Sequence, residues 1–572
     1  MKKIIRRNIP KESFDGEIAP LLNRIYAARG VTAKTELDYK LQQLLSYNNL
    51  ANIEQAVALL VKALEEGEHV LVVGDFDADG ATSTALAVSA LKSFGFANVS
   101  YLIPNRFEYG YGLSPEIVEI AASKAAKLIL TVDNGIASHA GVLKANQLGI
   151  KVLITDHHLP AEDLPEAAAI INPNLHNDNF ASKELAGVGV IFYLLLALRN
   201  RLREINWFGE KKIPEPNMAQ FLDLVALGTV ADLVHLDHNN RILVQQGLQR
   251  IRSGKCSIGI KELLQLSKRS YDRVTASDLA FVVAPRINAA GRLDEMSLGV
   301  ECLLASSVQQ ARLTASELDQ LNNERRTIEV DMQQQAERIL KNLQLEQNLP
   351  LGVCIYEETW HQGVLGILAS RLKDKLHRPV IAFAAVNDNE IKGSARSIAG
   401  IHMRDTLNLL ATRNSGLISK FGGHAMAAGL TIPRDAFSQF AELFNAEIAK
   451  HITQENLQSV IYSDGELEAK QLVLETALTL REAGPWGHGF PEPVFDNIFD
   501  LIDQRIVGQK HLKLTLRLQG AAKDLDAIWF NIDPKLWPNF RCNKAHITYR
   551  LDVNEYQGRK NLQLVVEHVA GM

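Results

Sequence analysis

The chain has 572 residues, which is too long for one hydrophobic core, so we expect two to four domains. Apolar residues make up 47% of the sequence and charged residues 22%, which is typical of an ordinary soluble globular protein and not of a disordered chain. The net charge of −5 argues against a nucleic-acid partner, unless metal-binding carboxylates mask local basic patches.

The cysteines and the apolar runs predict a soluble, cytoplasmic protein with no membrane partner. The four cysteines form no Cys-x-x-Cys pair, so we expect neither a disulfide framework nor a zinc site. The basic N-terminus is followed by Pro10, Lys11 and Glu12, where a signal peptide would be apolar. The longest uncharged apolar run, residues 185–198, is shorter than the roughly 20 residues of a membrane span and predicts a buried core helix.

Two regions are predicted in the first 305 residues. Residues 1–49 carry helical patterning and no chemical motif. Residues 50–305 predict an α/β domain with a parallel, doubly wound sheet, because helical stretches such as 54–66 and 83–94 alternate with short β-rich runs. The predicted strands are residues 69–74, 98–103, 127–132, 151–155 and 168–171.

Three further regions are predicted in the second half of the chain. Residues 306–348 contain no Gly or Pro and predict one long connecting helix through 307–345, far above the mean length of about 11–12 residues. Residues 349–457 predict a second α/β domain, with strands near 351–356 and 380–384. Residues 458–572 contain several short strands and predict a small β-barrel, for which an OB-fold is one candidate.

Carboxylates follow three of the predicted strands directly. The first strand runs into Asp75-Phe76-Asp77-Ala78-Asp79-Gly80, the third into Asp133-Asn134-Gly135, and the fourth into Asp156-His157-His158. Ligands of an open parallel sheet bind outside the carboxyl ends of its strands, so we expect these side chains to meet in one crevice.

Five aspartates in one crevice predict a site for divalent cations. Packed together, they would raise one another's pKa unless a cation neutralised them. Aspartates with one or two histidines suit Mn²⁺ or Mg²⁺ better than a metal that prefers thiolates. Two such ions commonly activate water and stabilise in-line displacement at phosphorus.

Two other interpretations of the first motif fit less well. Its Asp-x-Asp-x-Asp-Gly spacing matches the start of an EF-hand loop, but the twelfth position is Leu86 and a strand precedes it. A phosphatase with an aspartyl nucleophile also begins with Asp-x-Asp after a strand. That interpretation leaves the Asp156-His157-His158 motif unexplained.

Several motifs together resemble those of the DHH phosphoesterases. They are residues 75–80, 131–135, 156–158 and Gly228-Thr229-Val230-Ala231-Asp232. The first is similar to the Asp-Tyr-Asp-Ala-Asp-Gly pattern of the RecJ branch, with Phe76 in place of the tyrosine. Residues 361–366, 393–397 and the glycine-rich run 422–429 resemble the associated DHHA1 domain, and residues 485–493 and 558–560 resemble the RecJ OB-fold region. The resemblance spans about residues 50–570.

The resemblance implies roles for individual residues. Metal ligation is implied for Asp77, Asp79, Asp133, His157 and Asp232, with Asp133 as the bridge between two ions and Asp75 in support. His158 would face the scissile phosphate, helped by Arg286 and Asn288. The terminal 5′ phosphate would be held by Arg106, Ser394 and Arg396, with a contact from His424.

For some of these residues a purely structural role is the alternative to a role in the site. Arg106 could be a surface salt-bridge partner, Arg286 could cap the following segment, and His424 could be a turn residue. In the C-terminal region, basic residues such as Lys513 and Arg517, together with aromatic residues such as Trp529, Trp537 and Tyr556, form a candidate DNA face. Trp529 lies in an apolar run, which is more typical of a core residue.

The resemblance implies a 5′→3′ exonuclease that hydrolyses single-stranded DNA to 5′-mononucleotides with two Mn²⁺ or Mg²⁺ ions. It also implies a channel that is too narrow for duplex DNA and therefore selects single strands. A role in DNA recombination and repair is implied as well, together with single-strand-binding protein and recombination or mismatch-repair factors as partners. A monomer is expected. One alternative is a DHH/DHHA1 phosphodiesterase acting on short oligonucleotides or cyclic dinucleotides, and another is an inactive single-strand-binding module. The barrel region after residue 460 favours the exonuclease over the first of these.

Overall fold

The computed structural model describes residues 2–10, 18–342, 349–508, 510–521, 523–533, 536–556 and 558–571. Two compact units make up the chain. The smaller unit contains Met1–Arg6 and Asn323–Ser463, and the larger unit contains Arg7–Asn322 and Asp464–Met572.

The N-terminal region differs from its predicted helical form. It begins with a strand, β1 (Lys3–Arg6), which pairs in parallel with Val460–Ser463 in the smaller unit. One α-helix, α1 (Pro20–Ala27), and three short 3₁₀ helices follow in the larger unit. The helical prediction is therefore wrong for the first residues, because two adjacent isoleucines favour extended backbone and the partner strand is remote in sequence.

A five-stranded parallel sheet forms the centre of the larger unit. Its strands are β2 (Val70–Val73), β3 (Val99–Leu102), β4 (Leu128–Val132), β5 (Lys151–Thr155) and β6 (Ala169–Ile171). Their spatial order is β3-β2-β4-β5-β6, and every neighbouring pair is parallel, which confirms the predicted sheet. All residues of β2 and β4 are buried because both faces of the sheet are covered. The strand order reverses between β2 and β4, which is where an open sheet binds its ligands.

Helices cover this sheet and extend the larger unit. They are α2 (Ile53–Glu65), α3 (Ala78–Ser93), α4 (Pro115–Ser123), α5 (His139–Gln147), α6 (Gly187–Glu204), α7 (Trp207–Lys211), α8 (Leu222–Ala231), α9 (His238–Arg252), α10 (Ile258–Leu266), α11 (Ala276–Asp278), α12 (Ala284–Leu293) and α13 (Ser297–Leu304). The apolar run predicted as a core helix forms most of α6, and its side chains within the helix are buried except that of Leu196. Within the described residues, no helix combines the length and apolar character needed to cross a membrane.

A long helix, α14 (Val308–Asn342), confirms the predicted connecting helix and crosses the division between the units. Residues 343–345 of that prediction lie outside the described residues. The elements that follow in the smaller unit are β7 (Val353–Tyr356), α15 (Leu365–Leu376), β8 (Val380–Ala385), β9 (Glu390–Arg396), α16 (Met403–Arg413), β10 (Lys420–Gly423), β11 (Ala427–Pro433), α17 (Phe437–His451) and β12 (Val460–Ser463). Five of these strands form one sheet in the order β10-β11-β9-β8-β7, in which only the pair β7 and β8 is parallel.

The C-terminal region of the larger unit is a closed barrel, as predicted. One helix, α18 (Leu474–Glu482), precedes β13 (Phe495–Val507), β14 (His511–Leu518), β15 (Leu525–Trp529), β16 (Lys544–Tyr556) and β17 (Arg559–Gly571). The strands close in the order β13-β14-β15-β17-β16. Leu512, Leu514 and Leu516, at alternate positions of β14, point into the barrel and are fully buried, as the period of a β-strand requires.

Candidate metal centre

Acidic side chains gather at the carboxyl edge of the parallel sheet in the larger unit. Asp75, Asp77 and Asp79 lie at the junction of β2 and α3, and Asp133 directly follows β4. His157 lies just beyond the end of β5. A sixth residue, Asp232, comes from a different direction, because it ends α8.

Side chains at this edge form three groups of candidate metal ligands, and within each group the ligand atoms all lie within 4.8 Å of one another. The groups are Asp79 with His157 and Asp232, Asp75 with Asp77 and Asp133, and Asp133 with His157 and His158. Asp133 and His157 each belong to two groups, so the clusters are continuous. The structure thus brings together all five residues for which metal ligation was predicted, as well as Asp75 and His158.

Helix termini position the first motif. Asp77 caps α3, because its Oδ1 accepts hydrogen bonds from the backbone nitrogens of Asp79 at 2.9 Å and Gly80 at 3.0 Å. Asp79 accepts hydrogen bonds from the first turn of α6, from the nitrogens of Gly187 at 2.6 Å and Val188 at 3.0 Å. Amides at a helix N-terminus stabilise a negative charge and orient both oxygens of Asp79.

Asp133 has an unusual backbone and a very close neighbour. Its φ is 62°, a left-handed conformation that is uncommon outside glycine, and it is buried. Its nitrogen donates to the carbonyl oxygen of Thr155 at 3.0 Å, which holds the end of β4 against β5. A Cβ added at Gly187 would lie 2.5 Å from the Cβ of Asp133, so only glycine fits beside this carboxylate.

Two buried atoms at the centre of the cluster have no hydrogen-bond partner among the described residues: Oδ1 of Asp133 and Nε2 of His157. These atoms lie 3.1 Å apart, and Nε2 of His157 is 3.5 Å from Oδ2 of Asp232. Buried polar atoms are almost always hydrogen-bonded, and lone pairs that converge without a donor are what a cation requires. The residues present therefore fit hard divalent ions that accept carboxylate oxygen and imidazole nitrogen.

The charge balance of the cluster leads to the same conclusion. Burial and the charge of Asp232 raise the pKa of Asp79 to about 7, and burial and the charge of Asp77 raise the pKa of Asp232 to about 7. Burial, followed by neighbouring carboxylates, also raises the pKa values of Asp75 and Asp133 well above 3.8. Bound cations would remove this repulsion and keep the carboxylates ionised.

Asp156 orients the two histidines, a role that the family resemblance did not assign to it. Its Oδ1 accepts from the backbone nitrogens of both His157 at 2.7 Å and His158 at 3.1 Å, and it lies 2.7 Å from Nδ1 of His158. Burial lowers the pKa of His158, but the hydrogen bond and charge of Asp156 outweigh burial and raise it to about 9. Burial and the charge of His158 lower the pKa of His157, which favours its neutral, metal-binding form.

The same edge contains Tyr111, which no motif indicated. Its hydroxyl lies 3.4 Å from the carbonyl oxygen of Asp133 and 3.3 Å from Nδ1 of His158. Its ring also meets the ring of Phe76 edge to face, at 5.9 Å between centroids. Only its position in the fold reveals it, because it lies in a loop between predicted elements.

Comparison with known proteins identifies the family. Three family models match the chain: the model of the DHH family, N-terminal domain, matches residues 69–229, that of the DHHA1 domain matches residues 349–450, and that of the RecJ OB domain matches residues 463–568. A curated relative, the single-stranded-DNA-specific exonuclease RecJ of Dickeya dadantii, is 54% identical over 565 residues, which cover 99% of this chain and 98% of the relative. The chain belongs to the RecJ family.

Solved RecJ structures share the fold. RecJ from Thermus thermophilus in complex with Mn²⁺ has a TM-score of 0.81 and 29% identity, covering 100% of this chain and 79% of that one. RecJ from the same organism in complex with Mg²⁺ has a TM-score of 0.75 and 28% identity, covering 99% of this chain and 78% of that one. The family resemblance and the predicted fold class are thereby confirmed.

In this RecJ-family chain, Arg106 lies beside the first motif. Its guanidinium carbon is 4.0 Å from the centroid of the Phe76 ring. Burial lowers the pKa of Arg106, and the charges of Asp75 and Asp77 oppose that shift. A half-buried guanidinium stacked on a ring close to the carboxylates differs from the surface salt bridge considered as the alternative.

Arg286 and Asn288 lie on α12 in the larger unit. The amide oxygen of Asn288 accepts a hydrogen bond from the nitrogen of Ala78 at 2.8 Å, so this residue supports the start of α3. Arg286 is buried and donates from Nε to Asp319 at 2.8 Å and from Nη1 to the carbonyl oxygen of Val282 at 2.6 Å. No motif indicated Asp319 as its partner.

The remaining predicted phosphate contacts belong to the smaller unit. Ser394 and Arg396 lie on β9, with Nη1 of Arg396 3.3 Å from Oγ of Ser394. A Cβ added at Gly366, near the start of α15, would lie 2.7 Å from Nη2 of Arg396. His424 lies in the turn between β10 and β11, where its nitrogen donates to the carbonyl oxygen of Ala427 at 2.7 Å.

The candidate DNA face of the barrel is a mixed-charge surface. Lys513 pairs with Asp526 at 3.2 Å, and Arg517 pairs with Asp524 at 2.7 Å. Trp537 is buried and meets Trp529 at 5.9 Å between ring centroids, so these rings pack on each other. The side chain of Tyr556 lies outside the described residues.

Proposed function

We propose that this chain is a metal-dependent exonuclease that hydrolyses single-stranded DNA in the 5′→3′ direction and releases 5′-mononucleotides. The observation that carries the proposal is the convergence of Oδ1 of Asp133 and Nε2 of His157, 3.1 Å apart and without hydrogen-bond partners among the described residues, in a chain of the RecJ family. The curated relative is named as a single-stranded-DNA-specific exonuclease, and the solved relatives hold Mn²⁺ or Mg²⁺.

The cofactors are two ions of Mn²⁺ or Mg²⁺. Asp79, His157 and Asp232 would hold one ion, Asp77 would hold the other with Asp75 in support, and Asp133 would be shared between the two. Bound ions of this kind supply a nucleophilic water at neutral pH and neutralise charge on the phosphate oxygens. The chain supplies rigid ligands, because helix N-termini and Asp156 hold these side chains in place.

His158 is the proposed contact to the scissile phosphate. The hydrogen bond to Asp156 orients the imidazole and raises its pKa, which favours a ring that donates to a phosphate oxygen. Tyr111, whose hydroxyl is 3.3 Å from Nδ1 of His158, limits the positions that the imidazole can take. Arg286 and Asn288 act beside His158 in this proposal, Asn288 by supporting the start of α3.

Arg106 is the proposed contact to a phosphate at the 5′ end in the larger unit, and Ser394, Arg396 and His424 are the proposed phosphate contacts of the smaller unit. The guanidinium of Arg106 stacks on Phe76 beside the first motif, which supports a phosphate contact at that edge of the sheet. Arg396 and Ser394 offer a guanidinium and a hydroxyl side by side, 3.3 Å apart. Guanidinium groups recognise phosphate through two parallel hydrogen bonds.

Digestion of a long single strand tests the proposal. With Mn²⁺ present, a strand labelled at its 5′ end should release labelled mononucleotides in the first turnovers, a 3′-labelled strand should shorten without early release, and a blunt duplex should resist. Asp133→Asn should reduce the rate by more than about 100-fold, beyond the 10–100-fold typical of outer-shell partners. Asp163→Asn, which removes the same charge from an exposed loop, should retain the wild-type rate.

Other outcomes would redirect the assignment. Cleavage confined to dinucleotides, trinucleotides or cyclic dinucleotides would indicate an oligonucleotide phosphodiesterase. Binding of single strands with no cleavage in either metal would indicate a binding module.

We also propose that the chain acts in DNA recombination and repair, as a cytoplasmic monomer beside single-strand-binding protein and recombination or mismatch-repair factors. A DNA substrate and four free cysteines agree with that setting. Light scattering should give the mass of one chain, and digestion of strands coated with single-strand-binding protein should be faster than that of bare strands. A dimer mass, or inhibition by the coat, would contradict these expectations.

A further inference from the structure

A tight turn precedes the barrel, within the motif Pro485-Trp486-Gly487-His488-Gly489-Phe490. Gly487 and Phe490 close the turn, with their backbone groups exchanging hydrogen bonds of 2.9 and 3.1 Å. We call residues 485–490 the pre-barrel turn. Its rings belong to the hydrophobic packing, because Phe490 lies in the main core of the larger unit and Trp486 packs against both that core and the barrel core. Its glycines face residues outside the barrel, so their contacts are informative.

The pre-barrel turn packs against the backbone that follows Asp232. The nitrogen of Leu236 donates to the carbonyl oxygen of His488 at 2.8 Å. A Cβ added at Gly489 would lie 2.0 Å from Cδ2 of His235, and one added at Gly487 would lie 2.6 Å from Cδ1 of Leu236. A Cβ at Gly489 would overlap the His235 ring as it stands, whereas the atom near Gly487 is the end of the flexible Leu236 side chain, so Gly489 is the glycine on which the approach depends.

The segment that the turn contacts carries backbone strain. Leu233, directly after Asp232, has a φ of 59°, which is unfavourable for a residue with a Cβ. Leu233 is 54% exposed, so its burial does not stabilise this conformation. Strained backbone persists only where surrounding contacts determine it, and here those contacts lie at residues 235 and 236.

A second set of contacts holds the same segment from α9. Nδ2 of Asn240 donates to the carbonyl oxygen of His235 at 2.9 Å, and Nη1 of Arg241 donates to that of Leu236 at 3.0 Å. The guanidinium of Arg241 also lies over the ring of Phe490, at 4.3 Å from the centroid. The segment is thus held between α9 and the pre-barrel turn, and Arg241 of α9 contacts both the segment, at Leu236, and the turn, at Phe490.

We propose that the pre-barrel turn is a positioning element for the carboxylate of Asp232, so that the attachment of the barrel and the affinity of the centre for divalent cations are coupled. The inference rests on the proposed metal centre and assigns the turn a part in it. Outer contacts that orient ligands typically change metal affinity about 10–100-fold when they are removed.

The test compares two glycine substitutions in the full-length chain. Gly489 and Gly520 both have positive φ, 72° and 80°, so alanine strains the backbone similarly at either position, but nothing lies within 4 Å of a Cβ at Gly520. Binding of Mn²⁺ is measured without DNA, from the electron paramagnetic resonance signal of the free ion. Gly489→Ala should weaken binding at least about tenfold, whereas Gly520→Ala should leave it unchanged.

A double variant identifies the cause. His235→Ala removes the imidazole atoms that the new Cβ would meet, so adding it to Gly489→Ala should restore most of the Mn²⁺ affinity. Unchanged binding in Gly489→Ala, or equal weakening in both glycine variants, would overturn the coupling and leave the metal centre standing. A wild-type chain that binds no Mn²⁺ would overturn the proposed function and this inference together.

Hydrogen exchange of the wild-type chain provides a measurement that needs no variant. If Gly489→Ala does not fold, the amide of Leu236, which donates to His488, decides the question. Addition of Mn²⁺ should slow its exchange, because binding at Asp232 stabilises the segment. Exchange that is unaffected by saturating Mn²⁺ would overturn the proposal.

Discussion

Substituting Gly187 by alanine should disable the metal centre without weakening the helix that carries it. The new Cβ would lie 2.5 Å from the Cβ of Asp133 and 2.6 Å from its Oδ1. Carbon atoms in ordinary contact lie about 3.5–4.0 Å apart, so Asp133 must retreat by about 1 Å. Because the backbone of Asp133 already has a φ of 62° and its side chain is buried, the displacement has no easy direction.

The expected effect follows from that displacement. A shift of about 1 Å in a positioned group costs around 100-fold in rate, so we expect Gly187→Ala to reduce exonuclease turnover by that factor. Affinity for Mn²⁺ should fall with it, because Asp133 is shared between two groups of candidate ligands. The assay is release of nucleotides from single-stranded DNA, with Mn²⁺ binding measured in parallel.

Gly189→Ala is a matched control two residues further along α6. Its Cβ would meet only the flexible side chain of Leu185, at 3.0 Å from Cδ2. Since alanine is favoured over glycine in a helix by about 0.5–1 kcal/mol, this variant should be as stable as the wild type and remain active. The reasoning fails if Gly187→Ala degrades DNA as fast as Gly189→Ala.

Three further predictions concern protons, a buried ion pair and the 5′ end. With divalent cations removed by a chelator, the free energy of unfolding should rise as the pH falls from 8 to 5, because the pKa values of Asp79 and Asp232 are about 7 in the folded state and near 3.8 in the unfolded state, so the folded state binds protons more tightly. With Mn²⁺ present, the trend should reverse. A melting temperature that falls over this pH interval in the presence of chelator would contradict the assignment. Arg29→Met should destabilise the larger unit by about 3–5 kcal/mol, measured by unfolding in urea, because the side chains of Arg29 and Asp464 are each 1% exposed and lie 2.8 Å apart. Lys62→Met, which breaks an exposed ion pair with Glu66, should change the free energy of unfolding little, and equal effects of the two substitutions would refute this prediction. Arg106→Lys should lower kcat/KM about tenfold on strands with a 5′ phosphate and leave strands with a 5′ hydroxyl unchanged, and an equal loss on both would show that Arg106 does not contact that phosphate.

Local patterns in the sequence were sufficient for much of the fold. The parallel sheet, the long helix α14 and the C-terminal barrel are present as predicted, because hydrophobic periodicity and the spacing of Gly and Pro are local properties. The strand β1 was missed, since its four residues become a strand only by pairing with Val460–Ser463.

The sequence by itself determined that Asp75, Asp77, Asp79, Asp133 and His157 would meet, because the carboxyl ends of parallel strands share one edge. Only the tertiary structure decided the rest of the centre. The hydrogen bond between Asn288 and Ala78, the approach of Gly187 to Asp133, and the contact of the pre-barrel turn with the segment after Asp232 join residues far apart in the chain. Such contacts depend on how whole elements pack, and no local pattern of residues records that packing.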